Sequence, residues 1–195
     1  MIYAYDLVVL YSGGADSTLL LELAKRMGKT PYCLLIDYGQ LHLEELNFAI
    51  KYCEKNGLHY RRVSINNLAI MSALTTGEKD LYQGVSTYHV PGRNTMFLAI
   101  AFSIAESMGI TEIWYGPDYS DREHLFPDCY QEYVHRINQL FEIAGVKPTK
   151  VYAPTLGMTK EMVIKLLKHF DIKEDQIYSG YGEYKWTLAH TNIRH

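Results

Sequence analysis

Leu7-Val8-Val9-Leu10-Tyr11-Ser12-Gly13-Gly14-Ala15-Asp16-Ser17-Thr18-Leu19-Leu20-Leu21-Glu22-Leu23-Ala24-Lys25 runs from an apolar stretch through a glycine turn into a helical pattern. The apolar residues 7–11 show no polar alternation, the pattern of a strand buried on both faces of a parallel sheet. Gly13-Gly14 lets the chain turn sharply and approach an anion without Cβ obstruction. A helix starting just beyond turns its unbonded N–H groups and the positive end of its dipole toward that anion. Ser12 and Ser17 add hydroxyl donors. Asp16 is out of place beside a polyanion unless it helps hold a metal ion, and Mg2+ is the expected one, because it binds a few carboxylates together with phosphate oxygens. A bare Gly-Gly turn would be read as an ordinary capped helix start. The whole string Ser12-Gly13-Gly14-Ala15-Asp16-Ser17 after a strand points to a nucleotide phosphate site. It is neither a Walker A loop, lacking Gly-Lys-Ser/Thr, nor a Gly-x-Gly-x-x-Gly dinucleotide turn.

Outward from this loop, apolar runs alternate with helical periodicity. Strands are predicted at 7–11, 32–36, 60–65, 112–116 and 150–153, and helices at 17–27, 42–55, 93–107, 127–143 and 160–170. Asn56-Gly57 reads as a helix stop and Thr159 as an N-cap. The alternation predicts an α/β fold, a doubly wound, mainly parallel five-stranded sheet with helices on both faces. Residues 66–89 are too long for an ordinary connection and are expected to form a lid or substrate loop. At 195 residues, with no repeat or interdomain linker, the expectation is a single domain over 1–195, with a distinct tail from about 178.

Composition excludes several classes. Hydrophobic content of 48% and charged content of 21% are those of a soluble globular chain, and a net charge of −3 gives no strong field for nucleic acid. No run reaches membrane-spanning length, and the opening residues lack the basic region of a signal peptide. Cys33, Cys53 and Cys129 are too few and scattered for a disulfide framework, so a reducing, cytoplasmic setting is expected. Cys33 and Cys53 read as small buried hydrophobes.

Three further segments follow the phosphate loop. Asp37-Tyr38-Gly39-Gln40 ends the second strand, Val90-Pro91-Gly92-Arg93-Asn94-Thr95 opens the third helix, and Pro127-Asp128-Cys129 comes soon after the fourth strand. With Ser-Gly-Gly-x-Asp-Ser, and in this order, they resemble the 7-cyano-7-deazaguanine synthase family of PP-loop ATP pyrophosphatases, from about residue 7 to about residue 170. The resemblance implies ATP cleavage between the α and β phosphates. It further implies conversion of 7-carboxy-7-deazaguanine and ammonia to 7-cyano-7-deazaguanine, by adenylation first of the carboxylate and then of the amide. ATP and Mg2+ are the implied cofactors, and a small deazaguanine and ammonia the implied partners.

Ser12, Gly13, Gly14, Asp16 and Ser17 would then hold the phosphates, with Asp16 as the metal ligand, and Asp37, Tyr38, Gly39 and Gln40 would face the adenosine. Arg93 sits at a helix start, where a cation opposes the dipole unless an anion relieves it, and its planar fork suits phosphate or carboxylate. Asn94 reads equally as a cap or a substrate contact. Asp118, at the exit of the fourth strand, and Asp128 are candidate substrate contacts. Lys160 corresponds to a family position expected to reach the nucleotide phosphates, so Asp16, Arg93 and Lys160 are the candidate catalytic residues. His42 is a weaker candidate beside the second-strand turn.

One departure stands out. Family members end in a cysteine cluster that binds structural zinc, whereas residues 178–195 contain no cysteine, and His190 and His195 alone do not make a tetrahedral site. No structural zinc is expected. The departure leaves open a related ligase that stops at the amide or adenylates another carboxylate, a nucleotide-binding protein without turnover, and a tail that mediates homodimerisation.

Overall fold

A computed structural model describes residues 5–40, 43–65, 75, 90–117, 119 and 126–178. Five strands, β1 (Leu7–Leu10), β2 (Pro31–Asp37), β3 (Tyr60–Ser64), β4 (Glu112–Trp114) and β5 (Lys150–Tyr152), form one sheet in the order β3-β2-β1-β4-β5. Every neighbouring pair in it is parallel, with Leu7 opposite Pro31 and Val8 opposite Ile113. The helices are α1 (Ala15–Arg26), α2 (Leu43–Lys55), α3 (Arg93–Met108), α4 (Gln131–Ala144) and α5 (Lys160–His169). Among the described residues, no helix is long and apolar enough to cross a membrane.

The period-2 side-chain alternation of β1 divides the core. Leu7, Val9 and Tyr11 face α1 and α2, packing with Leu20, Leu21, Ala24, Leu46, Ala49 and Cys53. Val8 faces the opposite way, toward Leu98, Ala101 and Ala105 of α3 and Val134, Ile137 and Phe141 of α4. Both faces of the sheet are covered, as the unbroken apolar strands require. The α1 helix is enclosed on two sides. Leu20 and Leu21 belong to the sheet side, whereas Leu19 packs on Val163 and Leu167 of α5. Three successive leucines can all be buried because residues 100° apart on a helix then meet different neighbours, each burial contributing about 1.5–3 kcal/mol. Cys33 and Cys53 are buried thiols in this layer, as their setting in the sequence predicts. The Cys53 side chain, and then burial, push the Cys33 thiol up from its ordinary value.

The β5 edge is closed by a side chain. Asn138 of α4 donates from Nδ2 to the Val151 carbonyl at 2.9 Å and accepts the Val151 N–H on Oδ1 at 2.8 Å. One amide thus supplies the donor and acceptor that a sixth strand would have offered.

Element boundaries differ from the sequence reading at one place that matters. The helix expected to start at residue 127 is a short 3-10 turn, Pro127–Cys129, and α4 begins only at Gln131 after an extended Tyr130 (φ −111°, ψ 151°). The Tyr115 hydroxyl donates to the Asp128 carbonyl at 3.1 Å, occupying an oxygen that a continuous helix would have used internally. The α1 helix also starts two residues earlier than expected, with the Gly14 carbonyl accepting the Thr18 N–H at 3.0 Å. Gly57 (φ +62°) follows the end of α2, and Thr159 caps α5 by accepting the Met162 N–H at 3.3 Å, as expected. The proposed lid at 66–89, Thr75 apart, and the tail beyond Tyr178 lie outside the described residues.

Replacing Asn138 by Ala strands the Val151 N–H and carbonyl at a position only 2% exposed. The expected loss is on the order of 2 kcal/mol, read as a lowered urea midpoint with an unchanged m-value.

Candidate active site

The strand order reverses between β1 and β4, so the crevice beyond their carboxyl ends is the place where a ligand enters such a sheet. The two exits are pressed together there. A Cβ added at Gly116, just beyond β4, would lie 3.3 Å from the Asp16 carbonyl carbon and Cβ, and 3.4 Å from the Ser17 nitrogen. A Cβ there would force the β4 exit and the first turn of α1 to give by a few tenths of an ångström.

The loop between β1 and α1 is bound to itself through its hydroxyls. Ser12 Oγ and Ser17 Oγ are 3.2 Å apart, the Gly14 N–H donates to Ser12 Oγ at 3.3 Å, and Ser17 Oγ donates to the Gly14 carbonyl at 3.1 Å. Gly13 adopts φ +91°, and a Cβ there would sit 3.3 Å from both Ala49 Cβ and Phe48 Cδ1 of α2. No side chain caps α1 at Gly14. Since the first intrahelical bond is Thr18 N–H to Gly14, the N–H groups of Ala15 and Ser17 have no acceptor within the helix. This is the donor array that an anion fits.

Asp16 and Lys160, 144 residues apart in sequence, form an ion pair between the first turns of α1 and α5, with side chains about one-fifth exposed. The pair places a cation at the phosphate loop and holds it there by a carboxylate of the loop itself. Nearby, the Thr155 hydroxyl donates to the Pro117 carbonyl at 2.8 Å and the Tyr119 N–H to the Met158 carbonyl at 2.8 Å, tying the β4 exit to the segment that leads to Lys160.

The next strand end is a separate, self-contained turn. Asp37 pairs with Arg62 of β3 at 2.6 Å, accepts the Ser64 hydroxyl at 3.3 Å and takes the Gly39 N–H at 3.2 Å. The Arg62 guanidinium, and then the Gly39 N–H and Ser64, hold its carboxyl below the usual range against the opposing effect of burial. Gln40, also buried, accepts the Tyr38 N–H at 3.0 Å. Asp37 and Gln40 therefore shape this turn with their own side chains, and the Tyr38 ring packs on Val90 and on Phe97 (5.3 Å between rings). Through Val90 this turn meets the left-handed Gly92 (φ +65°) that starts α3, where Arg93 and Asn94 occupy a first turn without acidic residues.

Asp128 reaches the same region indirectly. Tyr133 of α4, whose phenol burial raises from its ordinary value, bonds Thr95 of α3 at 2.8 Å, and the Asp128 charge acts on the same phenol. The structure thus groups Ser12, Gly13, Gly14, Asp16, Ser17 and Lys160, packs Tyr38 of the Asp37–Gln40 turn on Phe97 of the helix that Arg93 and Asn94 open, and bonds Tyr133 to Thr95 of the same helix. Asp118 and His42 lie outside the described residues. Sequence reading missed Arg62, Tyr115 and Tyr133. Arg62 lies in β3, Tyr133 in α4 and Tyr115 just beyond β4, each with no local signal and recognisable only once its partner is known.

Because the folded Asp37 carboxyl is held low, its stabilising contribution is present above the unfolded value of about 3.9 and is lost as pH falls through the folded value. Asp37→Asn is expected to cost about 1 kcal/mol at pH 7, discounted because Arg62 is partly exposed. The difference from the parent chain should vanish in denaturation series taken well below pH 4.

A family model described as Queuosine biosynthesis protein QueC matches residues 6–190. The chain is 35% identical to 7-cyano-7-deazaguanine synthase of Psychromonas ingrahamii over 167 residues, covering 81% of this chain and 75% of that protein. It is 35% identical to the synthase of Polynucleobacter asymbioticus over 195 residues, covering 89% and 77%. Among solved structures, a tRNA thiolase of Methanococcus maripaludis superposes with a TM-score of 0.60 at 15% identity, over 93% of this chain and 61% of that one. The NH3-dependent NAD synthetase of Campylobacter jejuni gives 0.52 at 18%, over 90% and 68%. At such identities the structures speak for the PP-loop fold, and the sequence matches speak for the family. With a family model matching residues 6–190 and relatives 35% identical over most of its length, the chain belongs to the QueC family.

Proposed function

We propose that this chain is an ATP-dependent enzyme that converts 7-carboxy-7-deazaguanine and ammonia to 7-cyano-7-deazaguanine, within a single domain spanning 1–195 and in the cytoplasm. The observation that carries the reading is the uncapped first turn of α1 with the Asp16–Lys160 pair beside it, in a chain matched along most of its length by the QueC family.

A carboxylate is a poor electrophile, because its leaving group would be oxide. In the proposed first step a substrate carboxylate oxygen attacks the α-phosphorus of ATP, the α–β bond breaks and pyrophosphate leaves. Ammonia then adds its lone pair to the acyl carbon, the bond to AMP breaks, and a proton goes to solvent, giving the amide. The amide oxygen attacks a second ATP in the same way, and loss of AMP with the two N–H protons leaves the nitrile.

No residue need become covalently attached. Ser12, Gly13, Gly14 and Ser17 bind the departing pyrophosphate, and Lys160 offsets charge that builds on the α-phosphate. Asp37, Tyr38, Gly39 and Gln40 line the adenosine side. Arg93 takes the substrate carboxylate or a phosphate, with Asn94, Asp118 and Asp128 at the deazapurine. Among the described residues no group of three or more His, Cys, Asp or Glu could hold a metal alone. Mg2+ would be carried mainly by phosphate oxygens, with Asp16 as its protein ligand, where it would neutralise the leaving group.

A second reading is a related ligase that uses the same ATP chemistry on another carboxylate. Incubation with Mg-ATP and 7-carboxy-7-deazaguanine, with and without ammonium, separates the two. AMP together with a product lighter than the amide by one water supports the nitrile synthase, and AMP without the nitrile, formed when another carboxylate is supplied, supports the other ligase. Lys160→Ala should lower kcat/KM at least about 100-fold, and Asp16→Ala should abolish pyrophosphate release in a chain that still folds. Undiminished release by folded Asp16→Ala protein overturns the assignment of the loop.

A further inference from the structure

Two adjacent glycines are the least constrained dipeptide in a chain, so a Gly13-Gly14 turn needs something outside itself to hold one orientation. The hydrogen bonds supply it from the far end of the described chain. The Tyr178 N–H donates to the Gly13 carbonyl at 2.9 Å. The residues before it are anchored, since Ile172 and Ile177 are buried against Leu19 of α1 and Val163 and Leu167 of α5. The Tyr178 ring lies 6.0 Å from that of Phe48, the residue of α2 that a Cβ at Gly13 would meet at 3.3 Å. Burial, then Glu44 and Glu45 at the start of α2, raise its phenol.

The peptide plane transmits this contact. A carbonyl and the N–H that follows it point in opposite directions in a trans peptide. Fixing the Gly13 oxygen on Tyr178 therefore aims the Gly14 N–H at Ser12 Oγ (3.3 Å), which meets Ser17 Oγ at 3.2 Å. We propose that segment 172–178 is a strap that presets the phosphate loop, and that Tyr178 is a positioning residue for ATP, acting through its backbone N–H. The inference rests on the loop being the ATP phosphate site. Ordering the Gly-Gly turn in advance removes that entropic cost from nucleotide binding.

Tyr178→Pro removes the donor, and Ile177, already extended at φ −132° and ψ 133°, accommodates a proline after it. Tyr178→Ala removes the ring and keeps the N–H. In the full chain, the proline variant should raise KM for ATP about tenfold, with kcat and the KM for the carboxylate substrate little changed. The alanine variant should recover all but about threefold of that. Equal KM values for the two variants overturn the inference. A merely structural strap would lower the amount of active enzyme and leave KM for ATP in place. Should the proline variant not fold, amide exchange of the parent chain decides. On adding an α,β-methylene analogue of ATP, exchange of the Tyr178 amide should slow more than that of the Ile172 amide, which bonds Leu167 at the other end of the strap. Equal slowing overturns the inference. A parent chain that binds no ATP refutes the phosphate-site reading itself, and the inference with it.

Discussion

Two glycines set how closely the elements meet at the carboxyl end of this sheet. Gly13 is closed in by Phe48 and Ala49 of α2, and Gly116 lies against Asp16 and Ser17 at the start of α1. A Cβ at either position would force its neighbours to give by a few tenths of an ångström. Gly13 also needs its left-handed backbone, which an L side chain adopts at a cost of about 1–3 kcal/mol. The first turn of α1 is thereby fixed relative to β4 on one side and to α2 on the other.

The same economy governs the charges. Asp16 and Lys160 neutralise each other across the α1–α5 contact, whose packing is supplied by Leu19, Val163 and Leu167. An ion pair at the rim of an apolar contact loses less to solvent than a fully exposed one and avoids the desolvation penalty of a deeply buried one. Asp37 and Arg62 do the same for the second strand end, where the carboxylate also organises the turn. Polar side chains at the carboxyl edge thus have structural partners in the fold, and ligand binding would rearrange existing bonds.

Much of this was legible in the chain itself. The unbroken apolar runs led to the parallel sheet, and the Gly57 stop and Thr159 cap were readable because a left-handed glycine and a hydroxyl cap are local features. The helix expected from Pro127 starts only at Gln131, after an extended Tyr130, and the Asp128 carbonyl before it accepts the distant Tyr115 hydroxyl. Likewise Asn138 looks like any polar helix residue until β5 is found beside it. Arg62 and Tyr133 were invisible for the same reason, because their partners are 25 and 38 residues away in sequence.

By itself the sequence determined the order of strands and helices and the positions of the four motifs, because periodicity and turn chemistry are written within a few residues. It also placed the chain with its family, through the order of those motifs. Only the tertiary structure decided that Lys160 meets Asp16, that Asp37 is committed to Arg62, and that the Tyr178 amide reaches the Gly13 carbonyl. These are contacts between segments brought together by burial of apolar surface, which is non-directional and leaves no local pattern from which the partners could be read.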